Sequence, residues 1–140
     1  MRQDERTLVV TADGVQARVF EEARRGGHLI EHTDWLEDLH SKSGHDSAVR
    51  GTHGRHGESG ADKAEAAFLG KLCDRLDALM TAESFDALIL IAPPRALGVL
   101  REKMAKGLHQ RLALDEAHDR VDATAEALTK IIRDLRQAKA

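Results

Sequence analysis

The stretch Phe85 to Leu100, FDALILIAPPRALGVL, constrains the fold more than any other part of the chain. Leu88, Ile89, Leu90 and Ile91 form a continuous apolar run without a charge. A run this short and β-rich suits a strand buried on both faces, the usual state of a central parallel strand. Pro93 and Pro94 stop it, because proline has no N–H to donate to a sheet ladder. Pro94 then suits the first turn of a helix, which Leu97, Leu100, Arg101 and Met104 continue at helical spacing. The stretch predicts strand, tight turn and helix. Ligands of open α/β sheets bind at such carboxyl ends, which makes this corner a candidate site.

A chain of 140 residues is expected to form one domain, residues 1–140, with a core large enough to fold without disulfide or metal. With three Phe, one Trp and no Tyr, that core must be built from Leu, Val, Ile and Ala. Lone Cys73 cannot make an internal disulfide, which suits a reducing compartment. No stretch approaches the roughly 18 to 20 apolar residues of a membrane span, and the amino terminus shows no cleavage pattern. The expectation is a cytoplasmic protein with no membrane partner. A net charge of −3 gives no global argument for nucleic acid. The charge is uneven, however. Residues 1–40 carry five Arg against nine Asp and Glu, whereas residues 101–140 carry nine Lys and Arg against seven acids. A solvated surface is the ordinary reading of so mild an asymmetry.

Taken in order, Thr7 to Thr11 reads as a first strand. Asp13-Gly14 is a hairpin signal of the type I′ kind, which needs positive φ. Val15, Ala17 and Val19 alternate with Gln16, Arg18 and Phe20, predicting a second strand with one buried face. Gly26-Gly27 marks a turn before a third strand at residues 28–32. Residues 36–40 can form one helical turn. Residues 41–60, SKSGHDSAVRGTHGRHGESG, hold five Gly and four Ser and read as a long mobile loop, the kind that is functional or disordered. A helix is expected from near Asp62, with Ser59 in a capping pattern and Phe68, Leu72, Leu76, Leu79 and Met80 as its buried stripe. Lys71, Asp74, Arg75 and Asp77 turn outward. Leu112 to Leu114 is a short fifth strand. Val121, Ala125, Leu128, Ile132 and Leu135 then mark an amphipathic helix, with Lys130, Arg133, Arg136 and Lys139 in the half that favours cations. The expected class is α/β, a mixed five-stranded sheet in the order β-β-β-α-β-α-β-α with a long Gly/His-rich loop after the third strand.

Three groups of residues can carry chemistry. His40, His45, His53 and His56 surround the loop, and imidazole binds zinc, copper or nickel. Their spacing matches no standard metal site, so incidental histidines on a solvated loop are the simpler reading, and no metal or other cofactor is expected. Gly51, Gly54, Gly57 and Gly60 recur at every third position with Arg50 and Arg55 between them. Such a loop can bring backbone N–H groups and arginine forks to phosphates, although it lacks the Gly-Lys-Ser/Thr of a nucleotide loop. This makes Arg50, Gly54, Arg55, His56, Gly57 and Glu58 candidate RNA-binding residues; the alternative is a plain linker. Pro93-Pro94-Arg95 sets a cation at a helix amino terminus, so Arg95 is a candidate anion contact, although the two prolines remove two donors and favour a structural corner. Nucleophile motifs are absent, and Cys73 falls on the buried side of its helix.

Three segments, LVVTADGVQARVF, HGRHGESGADKAEAAFLGKLCDRLDAL and FDALILIAPPRALGVLREKM, together resemble the bacterial host attachment protein family over roughly residues 7–108. Such proteins often carry an acidic-Leu-Thr-His segment after the last strand, where this chain reads DEAHDRVDATAEAL. The same segments are similar to the middle domain of archaeal and eukaryotic class-1 peptide release factors. That resemblance implies a ribonuclease-H-like sheet whose loop reaches the ribosomal peptidyl-transferase centre. The family's Gly-Gly-Gln falls here on His56-Gly57-Glu58. Because the glutamine is missing, peptidyl-tRNA hydrolysis does not carry over. The leading expectation is a non-catalytic binding protein that contacts the ribosome or structured RNA. The alternatives are a hydrolase, peptidyl-tRNA-type or metal-dependent, using His56 and Glu58, and a regulatory adaptor with a protein partner.

Overall fold

The computed structural model describes residues 5–39 and 57–139. Five strands form one mixed sheet: β1 (Thr7–Ala12), β2 (Ala17–Glu22), β3 (Leu29–Glu31), β4 (Ala87–Ala92) and β5 (Leu112–Ala117). Their order across the sheet is β3-β2-β1-β4-β5. The first three run as an antiparallel meander, while β4 lies parallel to both β1 and β5. Among the described residues they are accompanied by helices α1 (Gly57–Ala82), α2 (Pro94–Lys103), α3 (Lys106–Gln110) and α4 (Ala125–Lys139). A helical turn also spans residues 37–39.

The apolar run behaves as its composition demands. Every residue of β4 is buried, and successive side chains enter opposite cores, as the two-residue period of a strand requires. Leu88 and Leu90 join Leu8, Val10 and Val19 on the face covered by α1 and α2. Ile89 and Ile91 join Val9, Phe20 and Leu114 against Leu128 and Ile132 of α4. Both faces are therefore dry, and β4 is interior, one place from the middle strand β1. The stripe of α1 is also as expected, with Phe68, Leu72, Leu76, Leu79 and Met80 buried and Leu69 and Cys73 added to it.

Several local expectations are corrected. Gly14 does not adopt positive φ; among the described glycines only Gly26 does, at 83°. The β1–β2 connection is instead a four-residue turn closed by Asp13, whose Oδ1 accepts from the N–H groups of Val15 and Gln16 at 2.8 and 2.9 Å. The side chain supplies the closure that a type I′ backbone would have supplied. Val15 thus lies in the turn, 56 % exposed, rather than in the strand. Strand β2 buries both faces, since Phe20 turns to the α4 side while Ala17 and Val19 turn to the other.

Helix α1 begins at Gly57, five residues before Asp62, because extending an existing helix costs far less than nucleating one. Ser59, Gly57 and Glu58 are therefore in its first turn and not in a loop. Arg75 is not turned outward; it donates to the Trp35 carbonyl at 2.6 Å and pairs with Asp38, pinning the segment after β3. Strand β5 continues to Ala117 beyond the apolar Leu112 to Leu114, carried by its ladder to β4. A short helix, α3, intervenes before it. Helix α4 starts four residues after Val121. Thr124 caps it, its Oγ1 accepting from Ala127 N–H at 3.0 Å.

Candidate functional site at the carboxyl edge of the parallel strands

Strands β1 and β4 end side by side, Thr11 opposite Ile91. Beyond β4, Pro93 caps α2 and Pro94 occupies its first turn, so the helix starts without spending a backbone donor. Arg95 follows at once and is ion-paired with Asp62 of α1. Both side chains are substantially exposed. On the other side of the edge, Gly14 in the β1–β2 turn lies against Glu65 of α1; a Cβ on Gly14 would stand 2.5 Å from Glu65 Cδ. Two contacts thus fix the amino-terminal part of α1 over the ends of β1 and β4. At 1.5 Å per residue, the helix runs about 8 Å beyond Asp62 to its start at Gly57.

The sequence-predicted residues divide accordingly. Arg50, Gly54, Arg55 and His56, like His40, His45 and His53, lie outside the described residues. Gly57 and Glu58 open α1 at this edge. Arg95 is brought to the same edge, where its partner is a carboxylate rather than free solvent, so an anion there competes with Asp62. Among the described residues, no three His, Cys, Asp or Glu side chains gather in a way that could hold a metal. Cys73 is 2 % exposed, and burial pushes its thiol up to about 11, which removes it as a nucleophile at neutral pH.

Sequence reasoning missed the polar clusters that lock the sheet to its surroundings. Arg18 reaches from β2 to the carbonyls of Val121 and Ala123 at 2.8 and 2.7 Å and forks onto Glu31. That hydrogen bond, helped by charge and opposed by burial, holds the Glu31 carboxyl below its usual range. Glu21 accepts from Arg6 and meets His32 Nε2 at 3.0 Å. Burial pushes the Glu21 carboxyl up, but these partners outweigh it and hold it low. His32 in turn stacks on Trp35 at 3.7 Å between ring centres. The signal for these clusters was present only as charges at alternate strand positions, with no indication of the partner.

Comparison with known families adds the decisive observation. The family model for proteins required for attachment to host cells matches residues 8–132. The chain belongs to that family. The match runs well past residue 108, through β5 and into α4, so the segment DEAHDRVDATAEAL falls within the matched region although it lacks the acidic-Leu-Thr-His pattern. No curated protein matches the chain. Among the described residues, no helix of this host attachment family member is long and apolar enough to cross a membrane.

Proposed function

We propose that this host attachment family protein is a cytoplasmic, non-catalytic binding protein that contacts the ribosome or structured RNA. The contact is made by Arg50, Gly54, Arg55, His56, Gly57 and Glu58, together with Arg95. One observation supports the reading above others: Asp62–Arg95 and Gly14–Glu65 hold the amino end of α1 over the carboxyl edge of β1 and β4. The Gly/His/Arg stretch leads directly into that end. Arginine forks and the N–H groups of a helix start both suit phosphate oxygens. The ribonuclease-H-like and release-factor-like part of the proposal draws on the strand order β3-β2-β1-β4-β5 with a meander followed by parallel strands.

Co-sedimentation with ribosomes at low and high salt tests it. Binding is expected to weaken as salt rises, because phosphate contacts release counterions. Arg50→Ala with Arg55→Ala should weaken binding to all RNA sequences alike and lower the salt slope by up to about two phosphate contacts. Glu58→Gln separates binding from hydrolysis. Removing a negative charge beside phosphates keeps or strengthens binding, whereas a general base lost at Glu58 abolishes peptidyl-tRNA cleavage with binding intact. Ribosome and RNA binding that is absent at low salt overturns the proposal.

A further inference from the structure

The opposite edge of the sheet holds a second feature, independent of the loop. Two adjoining cavities of about 280 and 300 Å³ share Arg25 and Arg136 as a common wall. They lie between the amino ends of β1 and β4, the β2–β3 turn and the last turns of α4. Cations converge here from two elements: Arg25 from the turn, and Arg133, Arg136 and Lys139 from α4.

The acids present do not use up this charge. Glu22, 3 % exposed in its side chain, takes both forks of Arg136 at 2.8 and 2.9 Å and the Gly26 N–H at 3.1 Å. That pair is closed and fixes the wall. Glu5 faces Arg25 only loosely, at 3.7 Å. Arg133 and Lys139 have no hydrogen bond or ion pair among the described residues. The carboxyl end of a helix carries roughly half a negative charge, which offsets part of one cation and leaves the rest. A third observation comes from the floor. Thr7 lines the second cavity, is 1 % exposed, and its Oγ1 has no partner among the described residues. A buried hydroxyl without a partner is costly unless something completes it. Beside it, Ala87, Ala113 and Leu114 leave an apolar shelf.

We propose that this cleft binds a small phosphomonoester, its phosphate held in the second cavity by Arg25 and Lys139 and completed by Thr7, with Arg133 adding charge from the adjoining cavity and the compact apolar body on the shelf. A phosphomonoester carries about −1.5 to −2 charges at neutral pH, which matches the uncompensated cations better than a single carboxylate does. The combined space lies within the range of small-molecule sites and suits a mononucleotide better than a polymer.

The test is titration of the full chain with adenosine monophosphate, inorganic phosphate and adenosine at constant ionic strength, read by calorimetry and amide chemical shifts. Adenosine monophosphate is expected to bind saturably, phosphate more weakly, and adenosine at least about tenfold more weakly than its monophosphate. Shifts should fall on residues 5–7, 25–26 and 133–139. Arg133→Gln with Lys139→Gln, both at exposed positions, should lower affinity about tenfold or more, because charge-assisted bonds to phosphate are the strong ones. Thr7→Val should weaken binding several-fold while leaving the free protein as stable or more so, an outcome that a merely structural hydroxyl would not produce. No saturable binding by any probe, binding unchanged in both variants, or adenosine binding as tightly as its monophosphate overturns the proposal.

Discussion

Cys73 illustrates how packing removes chemistry from a residue. Its Sγ donates to the Leu100 carbonyl at 3.5 Å inside the α1–α2 contact, and burial, with Asp74 adding and Lys103 opposing, raises the thiol to about 11. At pH 8 only about one thiol in a thousand is then ionised, against roughly a quarter for an ordinary cysteine. Alkylation of the folded protein at pH 8 is expected to run at least about a hundredfold slower than that of the unfolded chain, followed by mass spectrometry. Equal rates would show that the thiol is reachable. Glu31 carries a different consequence. Its folded value lies below the ordinary 4.5, chiefly through Arg18, so its stabilisation is complete above that pH and fades as pH falls through the lower folded value. Glu31→Gln should therefore flatten the acid limb of a stability curve below about pH 4.5. It should leave the slope between pH 6 and 8 unchanged.

At the scale of elements, β4 was legible because its chemistry is one-dimensional. Four apolar residues in a row leave no face for water, and two prolines say where the strand must stop. Leu90 is fully buried within it, and Leu90→Ala should cost about 2–5 kcal/mol in denaturant unfolding, through lost contacts and the cavity left behind. The stripe of α1 was legible for the same reason, since its period appears directly in the sequence. Ends were not. The start of α1 at Gly57 has no apolar residue to mark it, and the extension of β5 through Asp115 and Glu116 depends on a partner strand far away in the chain. The β1–β2 turn was misread because Asp13 closes it with a side chain, a solution that Asp-Gly also permits. Helix α4 shows the remedy: Thr124 is a recognisable cap once Val121 is allowed to be buried outside the helix. Thr124→Ala should cost about 0.5–2 kcal/mol and leave the fold intact. At the candidate site, Arg95 was legible at the helix start, but its partner Asp62 was not, because the pairing joins residues on different elements.

Across the whole molecule, the two proposed binding regions occupy opposite ends of the parallel strands. Strand β1 makes the separation measurable. Thr7 at its start lines the basic cleft, and Asp13-Gly14 after its end meets α1 at the other edge. Six residues at about 3.3 Å each set these ends some 17–20 Å apart. At physiological ionic strength the screening length is about 8 Å, so charges at one edge barely influence exposed charges at the other. No moving element links them directly either, since β1 and β4 are fully buried and flanked on both sides. The two activities should therefore be independent. Saturating adenosine monophosphate is expected to leave ribosome co-sedimentation unchanged within about twofold at 150 mM salt. Arg50→Ala with Arg55→Ala should weaken ribosome binding and lower its salt slope while leaving the monophosphate titration as in the parent chain. Arg133→Gln with Lys139→Gln should do the reverse. The pair of reciprocal variants is informative because each removes charge without removing an apolar side chain from either core. If the monophosphate displaces ribosomes, or if the Arg50 and Arg55 changes erase its binding, one surface serves both ligands. The separation of two edges then fails, and with it the assignment of the RNA contact to the amino end of α1.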